Sequence, residues 1–267
     1  MVEIREEYVR RYWFGVDDAG AVADTVLLME RDRLEQYKAA LDFTLNRFHG
    51  VFAGLTGLVK GRRISVVYSI GPAHIADCVS FLAYGFGVRR FFSTGSIGGL
   101  TTEMGDIVVS NACATQDGFS CASYPDEVRY EPFLGYTVEI DMSPQSVAVS
   151  DAVRCQTKEA FDCGIRYGRI FTVPAVSLED CRWLSEIKDR GYVAVDLETG
   201  PFLAACRRSD AQGVCVHWVT DLPLERSFYY QYEGDPEIIK RDNEKKHRQW
   251  LNMPRLILPI VVDLMSE

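Results

Sequence analysis

Short apolar runs recur along the chain, separated by glycine-rich turns and by stretches with helical spacing. Thr25 to Glu30 reads as a strand. Arg33 to Phe48 carries Leu34, Tyr37, Leu41 and Leu45 at helical spacing and predicts a charged helix. Two strands bracketed by glycine turns follow, the second being the buried-type run Ile64 to Ile70. Gly71-Pro72 ends that run, and Pro72 to Phe86 predicts a helix. Arg90 to Thr94 reads as a strand running into Gly95-Ser96-Ile97-Gly98-Gly99, and Asp106 to Thr115 as a longer one. Residues 117–140, with Asp117-Gly118, two prolines and several tyrosines, read as irregular. Gln145 to Cys163 then predicts a helix, Arg166 to Val173 a strand and Leu178 to Arg190 a helix. The end of the chain, from about Pro236 to Met265, is one long helix or two broken at Pro254. This alternation predicts one α/β domain over residues 1–267, a mainly parallel or mixed sheet flanked by helices.

The stretch Tyr192 to Pro223 concentrates the chemistry. A strand, Tyr192 to Val195, runs into Asp196 and Glu198; a small-residue helix covers Gly200 to Arg208; a second strand, Val214 to Thr220, ends on Asp221. Strand, crossover helix and strand suggest one βαβ unit, and such units bind ligands at the carboxyl ends of their strands. Two carboxylates are therefore expected at one rim of the sheet. Each has a plainer use. Glu198 suits the N-terminus of the helix that follows, and Asp221 suits a strand end before a turn at Pro223.

Composition narrows the class. The net charge of −9 argues against a nucleic-acid surface and against an anionic membrane. The N-terminal segment lacks the apolar core of a signal peptide, and the late run Leu256 to Val262 is too short to span a bilayer. Eight cysteines, none in a CxxC pair, read as small buried hydrophobes and not as disulfides or a zinc site, which fits a reducing cytoplasm. No metal is expected. His74 and His217 lie in apolar stretches and read as core histidines, whereas His247 reads as part of a solvated helix face. The aromatic cluster Phe228-Tyr229-Tyr230-Tyr232 suits a pocket lid just past Asp221 or a subunit contact, the contact being favoured.

Three stretches together resemble the purine nucleoside/uridine phosphorylase family. Ser93 to Leu100 with Gly105-Asp106-Ile107-Val108 is similar to its strand, GTxG-type loop and "GDIV" strand. Asp117-Gly118-Phe119-Ser120 followed by Tyr124-Pro125 is similar to its "DGxS…Y/F-P" segment. Ala194 to Thr199 with Thr220-Asp221 resembles its "VEME…SD" signature. The resemblance implies a twisted sheet partly closed into a barrel, and active sites assembled in homo-oligomers, whether dimers, trimers or hexamers. It implies that Glu198 binds the ribose hydroxyls, that Leu197 packs on the sugar, and that Asp221 protonates the purine leaving group. It further implies a base site at Val176, Val195 and Asp221, with stacking supplied by Phe119 or Tyr124, and an anion site at Gly95 and Ser96. No organic cofactor is implied; the partner is a small nucleoside or nucleotide, with inorganic phosphate as candidate co-substrate.

The chain departs from that pattern where phosphate is held. The family's "GDPxR" turn becomes Glu30-Arg31-Asp32-Arg33, an arginine before the GTxG loop becomes Ser93, and an arginine given by the neighbouring subunit aligns with His49, close to Arg47. A dianion needs several fixed donors. Three readings stay open: phosphorolysis with relocated donors such as Arg33, His49 or Arg90; hydrolysis by a nucleosidase, with Arg31, Arg33 or Arg129 available for a 5′-phosphate; or nucleoside binding without turnover. Asp221 in place of the arginine of uridine phosphorylases favours a purine base.

Overall fold

The computed structural model describes residues 5–29, 33–69, 71–160, 163–175, 180–225 and 235–264. Among them twelve strands form one continuous sheet. The strands are β1 (Thr25–Met29), β2 (Phe43–His49), β3 (Ala53–Val59), β4 (Arg62–Tyr68), β5 (Arg90–Thr94) and β6 (Ser96–Gly99). They continue as β7 (Ile107–Thr115), β8 (Arg129–Glu131), β9 (Gly135–Ile140), β10 (Ile165–Thr172), β11 (Tyr192–Asp196) and β12 (Gln212–Asp221). The spatial order is β2-β3-β4-β1-β5-β12-β6-β11-β10-β7-β9-β8, and β12 also pairs with β7. That extra pairing closes β12, β6, β11, β10 and β7 into a five-stranded barrel, with the sheet continuing into β5 from β12 and into β9 from β7.

Helices α1 (Glu6–Tyr8), α2 (Leu34–Ala40), α3 (Pro72–Phe86), α4 (Gly118–Ser123), α5 (Pro144–Ala160), α6 (Cys181–Asp189), α7 (Thr199–Arg208) and α8 (Pro236–Leu264) surround the sheet. β1 shows why both faces are covered. Val26 and Leu28 join one core with residues of α3 and α7, while Leu27 and Met29 join another with residues of α2 and α8. Successive side chains of a strand alternate faces, so a strand buried throughout needs a layer on each. The barrel has its own core of Ile97, Met104, Val108, Ile170, Ala194, Val219 and Leu222.

Long β12 builds the barrel. Its first half pairs with β5, from Gln212–Arg90 to Cys215–Ser93. Its second half pairs with β6 on one side and antiparallel with β7 on the other. β11 then pairs antiparallel with β6. The expected parallel βαβ unit is therefore corrected: β11 and β12 run in opposite directions with β6 between them. Closure allows this, because the sheet curls back on itself instead of extending flat.

Two local expectations are also corrected. The helix from Arg33 stops at Ala40, because Phe43–His49 pairs antiparallel with β3, from Phe43–Leu58 to His49–Ala53. Ladder pairing overrides a weak helical period. Lys60 and Gly61, both with positive φ, make the two-residue turn that carries β3 into β4. Residues 117–140 are largely ordered: α4, a 3₁₀ turn at Pro125–Glu127 and the β8–β9 hairpin. Of the two alternatives for the end of the chain the single long helix holds, since α8 runs unbroken through Pro254 and Pro259. No helix among the described residues is long and apolar enough to cross a membrane.

Candidate active site

The turn joining β11 to α7 carries two acids with different partners. Asp196 is buried and accepts the Thr199 backbone N–H at 2.9 Å, the Thr199 hydroxyl, and the Thr172 hydroxyl at 2.6 Å. It therefore caps the helix. Glu198 occupies the N-cap position but its side chain makes no capping hydrogen bond. The plainer use foreseen for Glu198 belongs to Asp196 instead. Glu198 is 8% exposed at the mouth of this turn, with Leu197 packed against the core formed by Val195, Leu100 and Phe171.

Asp221 comes from the other side of β6. Gly98 pairs with Val195 of β11 and with Asp221 of β12. A Cβ on Gly98 would stand 3.1 Å from Val195 Cγ2, 3.2 Å from Asp221 Oδ2 and 3.3 Å from Pro223 Cγ. Burial raises the Asp221 carboxyl above its ordinary value of 3.8; the Thr220 hydroxyl, donating at 3.0 Å, and Lys246 of α8 pull it back only in part. A carboxylic acid that keeps its proton is suited to donate it.

The glycine-serine turn joins the same region. Trp218 pairs with Ser96, and its backbone N–H donates to the Gly95 carbonyl at 3.0 Å. The guanidinium of Arg33 lies over the Trp218 ring, 4.5 Å from Cζ to the centroid, and over Trp250 of α8 at 4.9 Å. Two indole faces hold a planar cation that is only 6% exposed. Arg33 is thus brought to the strand that backs Gly95 and Ser96.

Other candidates are not brought there. His49 is exposed at the end of β2, with β3, β4, β1 and β5 between that edge strand and β12, and neighbouring Arg47 is ion-paired to Glu35 at 2.7 Å. Arg90 begins β5, at the opposite end from Gly95. There it lines a cavity of about 630 Å³ with Arg89, Arg207 and the N-terminus of α5. Arg129 lies exposed on the edge strand β8. Phe119 and Tyr124 pack on the core shared by α3 and α7, where Arg208 lies over Phe119 and Arg207 over Tyr124 at the far end of α7 from Glu198. His217 is fully buried, as expected, but His74 is exposed near the start of α3. Ser93 is buried within β5. Val176, Arg31 and the cluster Phe228 to Tyr232 lie outside the described residues.

Sequence reasoning did not find Trp218, Trp250, Lys246 or Gly98. Arg33 and Trp250 are 217 positions apart, and their hydrogen bond at 3.5 Å leaves no local signal. Gly98 stood inside a recognised glycine run, but its crowding by β11 and β12 appears only once the barrel closes.

A closed five-stranded barrel within a larger sheet, with acids on the strands flanking β6, defines an α/β protein of nucleoside phosphorylase architecture. The chain belongs to the phosphorylase superfamily, whose family model matches residues 26–245. Among curated relatives, purine nucleoside phosphorylase DeoD-type from Bacillus cytotoxicus is 24% identical over 215 residues, covering 76% of this chain and 83% of the relative. The protein of the same name from Bacillus cereus is 23% identical over the same span. Among solved structures, uridine phosphorylase from Vibrio fischeri superposes with a TM-score of 0.71 at 17% identity, covering 91% of this chain and 92% of that one.

Proposed function

We propose that this chain cleaves the N-glycosidic bond of a purine nucleoside by phosphorolysis. The observation that carries the reading is the Asp221 carboxyl, raised by burial and held against Gly98 opposite Val195. When the C1′–N9 bond breaks, positive charge grows on the sugar and negative charge on the base. Glu198 holds the ribose hydroxyls, Asp221 gives its proton to purine N7, and phosphate takes C1′ to form ribose 1-phosphate. Arg33 and the Gly95-Ser96 turn supply donors for the phosphate. The family supports cleavage of a nucleoside, and the names of the DeoD-type relatives favour the purine base.

A second reading keeps the acid and changes the nucleophile. Buried Ser93 stands where the resemblance expects an arginine, and His49 where it expects an arginine from a neighbouring subunit. Water would then attack C1′ and release free ribose. Base release from a panel of nucleosides and nucleoside 5′-monophosphates, with and without phosphate, separates the two. Phosphate-dependent release with ribose 1-phosphate as co-product is expected. Equal release without phosphate would establish the hydrolase, and release from uridine alone would reverse the base assignment.

A further inference from the structure

Beneath the Glu198 turn lies a chain of buried polar groups with a fixed direction. Thr199 Oγ1 lies 3.2 Å from His217 Nε2 and also contacts Asp196 Oδ2. Asp196, as a carboxylate, only accepts, so the single hydroxyl proton of Thr199 goes to it. Thr199 Oγ1 is then the acceptor toward His217, which must carry its proton on Nε2. The same ordering continues outward. Thr172 gives its hydroxyl proton to Asp196 Oδ1 at 2.6 Å, and so accepts the Gly200 backbone N–H at 2.8 Å. Cys113 Sγ lies 3.4 Å from that hydroxyl. His217, Thr172 and Thr199 are fully buried.

This chain joins elements that the sheet keeps apart. His217 precedes Trp218, the partner of Ser96, on the strand that ends in Asp221. Thr199 follows Glu198 at the start of α7. No strand pairing links β11 to β12, since β6 lies between them. The His217–Thr199 hydrogen bond is a direct tie between the turn carrying Glu198 and the strand carrying Asp221.

We propose that His217 is a positioning residue: by donating Nε2–H to Thr199 it sets the Glu198 turn against β12, and so the spacing of the two acids. It touches no reacting atom. The inference rests on the reading of Glu198 as the ribose-binding acid. A small displacement of a positioned group lowers turnover steeply, since effective molarity depends on geometry.

The test is a double-mutant cycle on the full-length chain, pairing His217→Leu with Glu198→Gln. Thr199→Val is the milder variant, and His217→Gln the rescue. We expect His217→Leu and Thr199→Val to lower kcat/KM roughly tenfold or more, and His217→Gln to recover most of it, because its amide still donates. In the Glu198→Gln background the same changes should cost almost nothing further, the signature of residues acting as one unit. Equal losses in both backgrounds, or losses that only track the folded fraction, would overturn the proposal. Should the wild type cleave no nucleoside, the function reading fails separately, and amide exchange at Thr199 and Gly200 decides the positioning alone. Faster exchange in Thr199→Val supports it; unchanged exchange sinks it.

Discussion

Val195 and Asp221 face each other across Gly98, each paired with it from a different strand of the barrel. The absent Cβ is what lets a core valine and a catalytic candidate share one glycine.

Gly98→Ala tests that relationship. The new methyl would meet Val195, Asp221 and Pro223 at 3.1–3.3 Å, closer than ordinary contact, and the carboxylate is the neighbour able to move. Turnover should fall at least tenfold with a destabilisation of about 1–2 kcal/mol. Gly118→Ala, where an added Cβ meets nothing within 4 Å, is the control and should leave kinetics unchanged. Full activity in Gly98→Ala would detach Asp221 from the mechanism.

The two acids of the β11–α7 turn should separate by assay. Asp196→Ala removes an acceptor of three hydrogen bonds and should lower stability by roughly 2–3 kcal/mol in denaturant unfolding. Glu198 gives the helix no side-chain cap, so Glu198→Ala should shift the midpoint less than Asp196→Ala while kcat/KM drops by orders of magnitude. The reverse pattern would exchange their roles.

Asp221 makes activity and stability fall together as pH rises. Its folded pKa lies above 3.8, so over the interval between the two values the folded state keeps a proton that the unfolded state has lost. The stabilisation is complete below 3.8 and disappears as pH rises through the folded value. Above it the enzyme holds a desolvated carboxylate. Asp221→Asn mimics the protonated form; it should melt higher than wild type at neutral pH, match it in strong acid, and turn over far more slowly. Wild-type kcat should decline as pH rises through the same raised value. A melting difference independent of pH would contradict the assignment.

Arg33 should act on the anion and not on the nucleoside. Arg33→Met is expected to raise KM for phosphate at least tenfold with little change in KM for nucleoside. Trp250→Leu removes one face of the clamp and should give a smaller shift in the same direction, with a stability loss of about 1 kcal/mol from the cation–π contact. Unchanged phosphate dependence in Arg33→Met would move the anion site elsewhere.

The order of elements was legible because burial on both faces writes long apolar runs, as in Thr25–Met29, and because Gly71-Pro72 punctuates strand from helix. Glu198 and Asp221 were legible because they end such runs inside a recognisable family pattern. The hairpin strand Phe43–His49 was not, since its seven residues alternate only weakly and its partner β3 decides its state.

By itself, then, the sequence determined an α/β chain of the phosphorylase type and its two candidate acids, since both follow from local periodicity and short-range motif. Tertiary structure alone decided that β11 and β12 run antiparallel around β6, that Asp196 caps the helix in place of Glu198, and that Arg33 lies between Trp218 and Trp250. Each of these depends on barrel closure or on a contact spanning most of the chain. Such contacts are selected by packing and desolvation in three dimensions, and they impose no period on the residues between.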